Sequence, residues 1–258
     1  MYRGSRKHIL DWVSQPRFLP EFLQLVRPVQ CRVTAESIWQ PLGVTAPAEA
    51  RLEQFGPRAL PGHAAWPALT TWWLKHVRGA NTPNWDLALS CEVEGRPGLI
   101  LIEAKANVPE LRATGKTLAS EASERSKENH AHIADAIAEA RAALLPLLGE
   151  VSMAGDRHYQ LSNRLAFGWR LASLGIPTVL VYLGFTGDKG IVDVGEPFSS
   201  DDHWQQVFGH GLQEVCSPTV LDAPIDLGAA NLWVLSRSRP VLEHSPRPSN
   251  EASYRPSA

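Results

Sequence analysis

Gly98 to Lys105 reads GLILIEAK, and Trp85-Asp86 stands upstream of it, with sixteen residues separating Asp86 from Glu103. Leu87, Leu89, Cys91 and Val93 alternate with Asp86, Ala88, Ser90 and Glu92, the period-two pattern of a strand with one buried face. Leu99 to Ile102 is apolar on both faces, as in a central strand covered on both sides. Between them Gly95-Arg96-Pro97-Gly98 signals a turn, so the stretch reads as a β-hairpin. The two-residue loop falls on Glu94-Gly95, Gly95-Arg96 or Arg96-Pro97. In all three registers Asp86, Glu103 and Lys105 share a face, because opposed residues of an antiparallel pair point the same way. A loop at Glu94-Gly95 sets Asp86 directly opposite Glu103. One at Arg96-Pro97 offsets them by four positions, roughly 13 Å at about 3.3 Å per residue.

Two carboxylates and a lysine at the end of an otherwise apolar strand call for a reason, since Lys and Glu are almost never buried unpaired. One reading is a Mg²⁺ site. Mg²⁺ takes hard oxygen ligands, usually one or two carboxylates plus phosphate oxygens and water. Asp86 and Glu103 supply the carboxylates and the carbonyl of Ala104 a third oxygen. Lys105 is then placed to orient a water and to offset charge on a phosphorane-like transition state. The other reading is a structural ion pair at the solvated end of the strand.

The pattern Asp86…Glu103-Ala104-Lys105, on two strands followed by a helix and another strand, resembles the PD-(D/E)xK nuclease superfamily, the restriction-endonuclease-like and RecB-like enzymes. The resemblance spans roughly Trp66 to Phe185. It implies an α/β domain with an αβββαβ core, a central mixed sheet flanked by helices, and Mg²⁺-dependent phosphodiester hydrolysis, with Mn²⁺ able to substitute. DNA stands ahead of RNA as substrate. Matched by position, Asp86 and Glu103 are the metal-binding acids and Lys105 the catalytic lysine. Two departures are visible. Trp85 stands where many members have proline, with Pro83 close by. The helix expected over Ala65 to Val77 carries no acid, where many members have a metal-binding Glu; Glu49 and Glu53 are the nearest acids. The missing acid and the weak overall charge count for the alternative, an inactive nucleic-acid-binding or regulatory module on the same fold, without displacing the nuclease reading.

The chain has 258 residues, 44% of them apolar, enough for one full core. A net charge of −2 and a pI near 6.5 exclude a global basic field, so contact with a polyanion needs a local patch. Arg112, Lys116, Lys127 and Arg164 are the candidates for it. Cys31, Cys91 and Cys216 lie far apart without zinc spacing, which suits a reducing cytoplasm. No run approaches membrane-spanning length, so no membrane partner is expected, and a homodimer is left open.

Residues 1–60 are expected as an extension with helical pieces at Glu21 to Val26 and Ala46 to Phe55. Residues 61–238 are expected as the core, with a helical insertion over about 107–157, and 239–258 as a disordered tail. Trp66, Trp72, Trp73 and Trp85 read as helix packing onto a sheet. In the insertion, a helix over Ala119 to Leu145 is expected to bury Ile133, Ile137, Ala140 and Leu144, while Ser126 and Asn129 are candidate phosphate contacts. His130 and His132, two apart, make a poor metal pair and read as surface residues. The helix over His158 to Ser173 packs through Leu161, Leu165, Gly168 and Ala172. Gln160, Asn163, Arg164 and Phe167 share a second face, with Gln160 a candidate catalytic residue and Asn163 a phosphate contact. Thr178 to Phe185 then reads as a buried parallel strand. Asp201 to about Val215 is a short helix, and Asn231 to Leu235 a last strand.

Overall fold

The computed structural model describes residues 2–78, 80–112, 114–115 and 117–242. The hairpin forms as β5 (Leu87–Val93) and β6 (Arg96–Lys105), paired from Leu87↔Ile102 to Val93↔Arg96. The loop is therefore Glu94-Gly95, the register that sets Asp86 opposite Glu103. Both loop residues have positive φ, 52° and 77°, the pair required by a type I′ turn whose twist matches the strands. Glu94 holds this conformation while its carboxylate accepts hydrogen bonds from Asn231 and Trp233 of the last strand.

The hairpin lies inside a mixed sheet. β7 (Thr178–Thr186) pairs parallel with β6, and β9 (Asn231–Pro240) pairs parallel with β7, edged by β8 (Pro224–Asp226). On the other side β1 (Cys31–Arg32) and β2 (Trp39–Gln40) pair antiparallel with β5. A separate two-stranded ladder joins β3 (Ala50–Arg51) to β4 (Asn84–Trp85), the segment that leads into Asp86. The chain is thus α/β with a mixed central sheet and helices on both faces.

One face is covered by α1 (Gly4–Val13) and α2 (Phe18–Leu25), whose Ile9, Trp12, Phe18 and Phe22 pack with Leu89, Ile100, Val181 and Phe185. Residues expected as an extension therefore supply three strands, two of them in the central sheet, and the helical layer on this face. The other face carries α3 (Leu52–Ala59), α4 (Ala65–Trp73), α5 (Glu124–Leu148), α6 (Tyr159–Ser173) and α7 (Asp201–Gln213). This double cover buries Ala88 and Ser90 as well as Leu87 and Leu89, so β5 is not the one-faced strand its alternation predicts.

Several boundaries move. The helix expected from Ala46 begins at Leu52, because Ala50-Arg51 is drawn into the ladder with β4. α5 starts at Glu124, where Ser123 caps it by accepting from Ser126 N. Its expected stripe is buried: Ile133, Ile137, Ala140 and Leu144. The four tryptophans are all buried, and Trp73 meets Phe167 of α6 edge-on at 4.6 Å. β9 continues past Leu235 to Pro240, taking in the first residues assigned to the tail; 243–258 lie outside the described residues.

Candidate functional site

Glu103 and Lys105 point to the α6 side of the sheet, as do their neighbours Leu99 and Leu101. They close β6 where it emerges from the core, and remain 4% and 7% exposed. Lys105 Nζ donates to Glu103 Oε1 at 2.6 Å. Arg164 of α6 donates through Nε to Glu103 Oε2, also at 2.6 Å. Both oxygens of Glu103 are thus held. Arg164 also donates to the carbonyl of Asn84 (2.7 Å) and to Asn163 Oδ1 (2.8 Å), and its guanidinium lies 4.6 Å over the Trp85 ring. One side chain therefore ties α6 to Glu103 and to the segment that delivers Asp86.

Asp86, half-buried, accepts the backbone N–H of Ala104 through Oδ2 at 2.7 Å; among the described residues its Oδ1 carries no hydrogen bond. Burial and the facing charge of Glu103 push the Asp86 carboxyl up to about 7. Burial works against ionised Glu103 too, but Arg164 and Lys105 outweigh it and hold that group down at about 2. For Lys105, burial is outweighed by the charges of Glu103 and Asp86, which raise it above the ordinary lysine value. The two carboxylates are set apart by their partners: Glu103 is neutralised from within, while Asp86 is charged at a cost near neutral pH.

Asp86, Glu103, Ala104 and Lys105 line one open cleft with Gln160. Glu49 and Glu110 line it as well, so four acids face two cations, Lys105 and Arg164. Glu49 reaches the cleft from the loop before β3, held by Arg6 and Asn84. Glu53 does not line it; it binds Thr82. Glu110 accepts from Ala106 N and Asn107 Nδ2, and burial raises its carboxyl above the usual range. The donors fit a hard divalent cation. Among the described residues no cluster of three or more His, Cys, Asp or Glu is gathered around one point, but Mg²⁺ needs only one or two carboxylates beside phosphate and water. A cation at Asp86 would also stabilise the charge that burial disfavours.

No family model, curated protein or solved structure matches this chain. Its site is read from its own geometry.

The expected positive patch assembles only in part. Arg112 is exposed and lines a small cavity with Glu103, Lys105 and Gln160. Arg164, 7% exposed, and Asn163, 3% exposed, are buried: Arg164 donates to Glu103, to the Asn84 carbonyl and to Asn163 Oδ1, although it also lines the cleft. Lys127 stays on the surface paired with Glu124 at 2.6 Å, and Lys116 lies outside the described residues. Asn129 is spent on the backbone of His76, donating to its carbonyl and accepting its N–H, and Ser126 serves the start of α5. His130 and His132 are half-buried, not fully surface residues, and His132 Nε2 lies 3.0 Å from the Thr71 carbonyl. Glu110, which lines the cleft, was missed by sequence reasoning. Glu110 follows Lys105 by only five positions in a proline-containing turn, a proximity that could have marked it.

Proposed function

We propose that the protein is a metal-dependent phosphodiester hydrolase on a restriction-endonuclease-like scaffold, acting on DNA ahead of RNA. The observation that carries this is the register at Glu94-Gly95, which sets Asp86 opposite Glu103 with Lys105 beside them in one open cleft. Asp86 and Glu103, with the Ala104 carbonyl, are the residues to hold Mg²⁺ or Mn²⁺. When bound, such a cation acidifies water and offsets charge on the scissile phosphate.

The chain's own residues do the rest. Arg164 fixes Glu103 against the Asp86 segment, so the two carboxylates do not have to be ordered when substrate arrives. Lys105, kept protonated by its carboxylate neighbours, orients the attacking water and faces the charge that develops on phosphorus. Gln160, exposed at the cleft and without a hydrogen bond from its amide among the described residues, offers that amide to a phosphate oxygen. The excess of acids repels a polyanion from the bare cleft, which makes the cation a condition for substrate binding as well as for chemistry.

A second reading, an inactive binding or regulatory module, draws on Glu103 having both oxygens engaged by Lys105 and Arg164. A Mn²⁺ titration with a parallel DNA-cleavage assay separates the two. Saturable binding and cleavage that Asp86→Ala both removes support the hydrolase; saturable binding of DNA without any metal response supports the module.

A further inference from the structure

His158 opens α6 in the left-handed conformation, φ 47° and ψ 40°, which is uncommon outside glycine. It is 6% exposed, and its Nε2 lies 2.9 Å from Glu214 Oε2, just beyond α7. An ionised carboxylate only accepts, so Nε2 carries a proton toward Glu214, and in a neutral imidazole so oriented Nδ1 is the acceptor. Among the described residues Nδ1 makes no hydrogen bond. His158 lines a cavity with room for about one water molecule together with Glu103, Lys105 and Gln160, which also line the cleft. The segment that brings His158 there is pressed close: Tyr159 N donates to the Thr114 carbonyl, and at Gly115 a Cβ would fall 2.1 Å from the Asp156 carbonyl oxygen.

Resting on the hydrolase reading above, we propose that His158, oriented by Glu214, accepts the proton of the attacking water through this water-sized cavity. The water oxygen bonds to phosphorus while its proton passes by way of one intervening water to Nδ1. The bond from phosphorus to the leaving oxygen breaks, its electron pair stays on that oxygen, and solvent protonates it. The imidazolium, stabilised by Glu214, then returns its proton to solvent. Lys105 Nζ is engaged by Glu103 at 2.6 Å and lines this cavity. His158 is the histidine that shares its cavity.

The charged groups that bear on His158 are Glu214 with its partners Arg157 and His210, and across the cavity Glu103, Lys105, Glu110 and Arg112. Dividing wild-type by variant rates at each pH cancels the titration of groups common to both. The test is His158→Asn, since asparagine tolerates the left-handed backbone, assayed with Mg²⁺ on duplex DNA from about pH 6 to about pH 9. The expected loss is about 10²-fold or more at neutral pH, shrinking toward high pH as hydroxide replaces the missing base. DNA affinity measured by fluorescence anisotropy with Ca²⁺ in place of Mg²⁺ is expected to stay within about twofold. A loss that does not change with pH, no loss, or a fall in affinity matching the fall in rate overturns the proposal. Should His158→Asn not fold, Glu214→Gln keeps the ring and is expected to lose about tenfold at neutral pH; an unchanged rate overturns the proposal equally. A wild-type protein without metal-dependent cleavage at any pH sinks the hydrolase reading and this role with it, whereas wild-type cleavage with a pH-invariant loss sinks only the role of His158.

Discussion

Asp86 and Glu103 are chemically alike and electrostatically opposite, and the difference lies in what each faces. Glu103 has two cations on its oxygens; Asp86 has one backbone N–H and a neighbouring negative charge. Asp86 therefore binds its proton more tightly folded than unfolded, about 7 against 3.8. Between those values the folded state holds the extra proton, so stability falls as pH rises from about 4 to about 7 and stays low above it. Asp86→Asn removes the penalty and is expected to stabilise the protein at pH 8, but not at pH 4, by on the order of 2 kcal/mol after allowing for the group's partial exposure. Chemical denaturation at the two pH values checks this, and equal effects at both would show that Asp86 is not strained by charge. Glu103 has the opposite sign: its contribution is present above its unfolded value and is lost only as pH falls toward about 2. Its two cations are not equivalent. Arg164→Ala leaves buried Glu103 without the contact that also anchors Asn84, with an expected cost of about 3–5 kcal/mol. Lys105→Ala leaves Arg164 in place, with an expected cost of about 1 kcal/mol and loss of metal-dependent cleavage. Thermal melts of the two variants, compared with their cleavage rates, separate the structural cation from the catalytic one.

The element that aligns these residues is a two-residue turn some distance from them. Every pair in the β5–β6 ladder is counted from Glu94-Gly95, so the turn sets which residue faces Asp86. Gly95→Val places a β-branched side chain at φ 77° and is expected to cost about 1–2 kcal/mol. If the register slips to relieve it, Asp86 moves off Glu103 and Mn²⁺ affinity falls; a loss of stability with unchanged affinity would mean that the sheet, not the turn, fixes the register. The hairpin, the shared face and the parallel β7 were legible because period-two alternation, an apolar run and glycine punctuation are local signals. The register was not, since all three loops satisfied the same alternation, and the choice depends on positive φ at Glu94, a residue fixed by Asn231 and Trp233 far along the chain. Arg164 illustrates the same limit. Its spacing from Gln160 put both on one helical face, but which of them turns outward was decided by Glu103, Asn84 and Trp85, none near it in sequence. His158 gave no signal at all, because neither its cavity nor Glu214 can be read from neighbouring residues.

At the scale of the whole molecule, the two helical layers leave the sheet's carboxylate end open as a cleft that is itself acidic. Among the described residues no helix is long and apolar enough to cross a membrane. On the proposed function, a net charge of −2 means that a polyanion would be met through few contacts. Of the expected patch, Arg164 is committed to Glu103 and Lys127 to Glu124, which among the described residues leaves Arg112 at the rim of the site. Each phosphate contacted on duplex DNA contributes a slope of about −0.9 to the dependence of log affinity on log salt. A slope magnitude of roughly 1–2 is therefore expected when binding is measured with Ca²⁺, a cation that supports association without cleavage. Arg112→Ala is expected to lower it by about 0.9 and to weaken binding alike for all sequences, because a phosphate contact carries no base information. A wild-type slope magnitude of about 5 or more would place the main phosphate contacts on a surface other than this rim. An Arg112→Ala variant with unchanged slope would mean that DNA enters the cleft from another side, away from the cavity that Arg112 shares with Lys105 and His158.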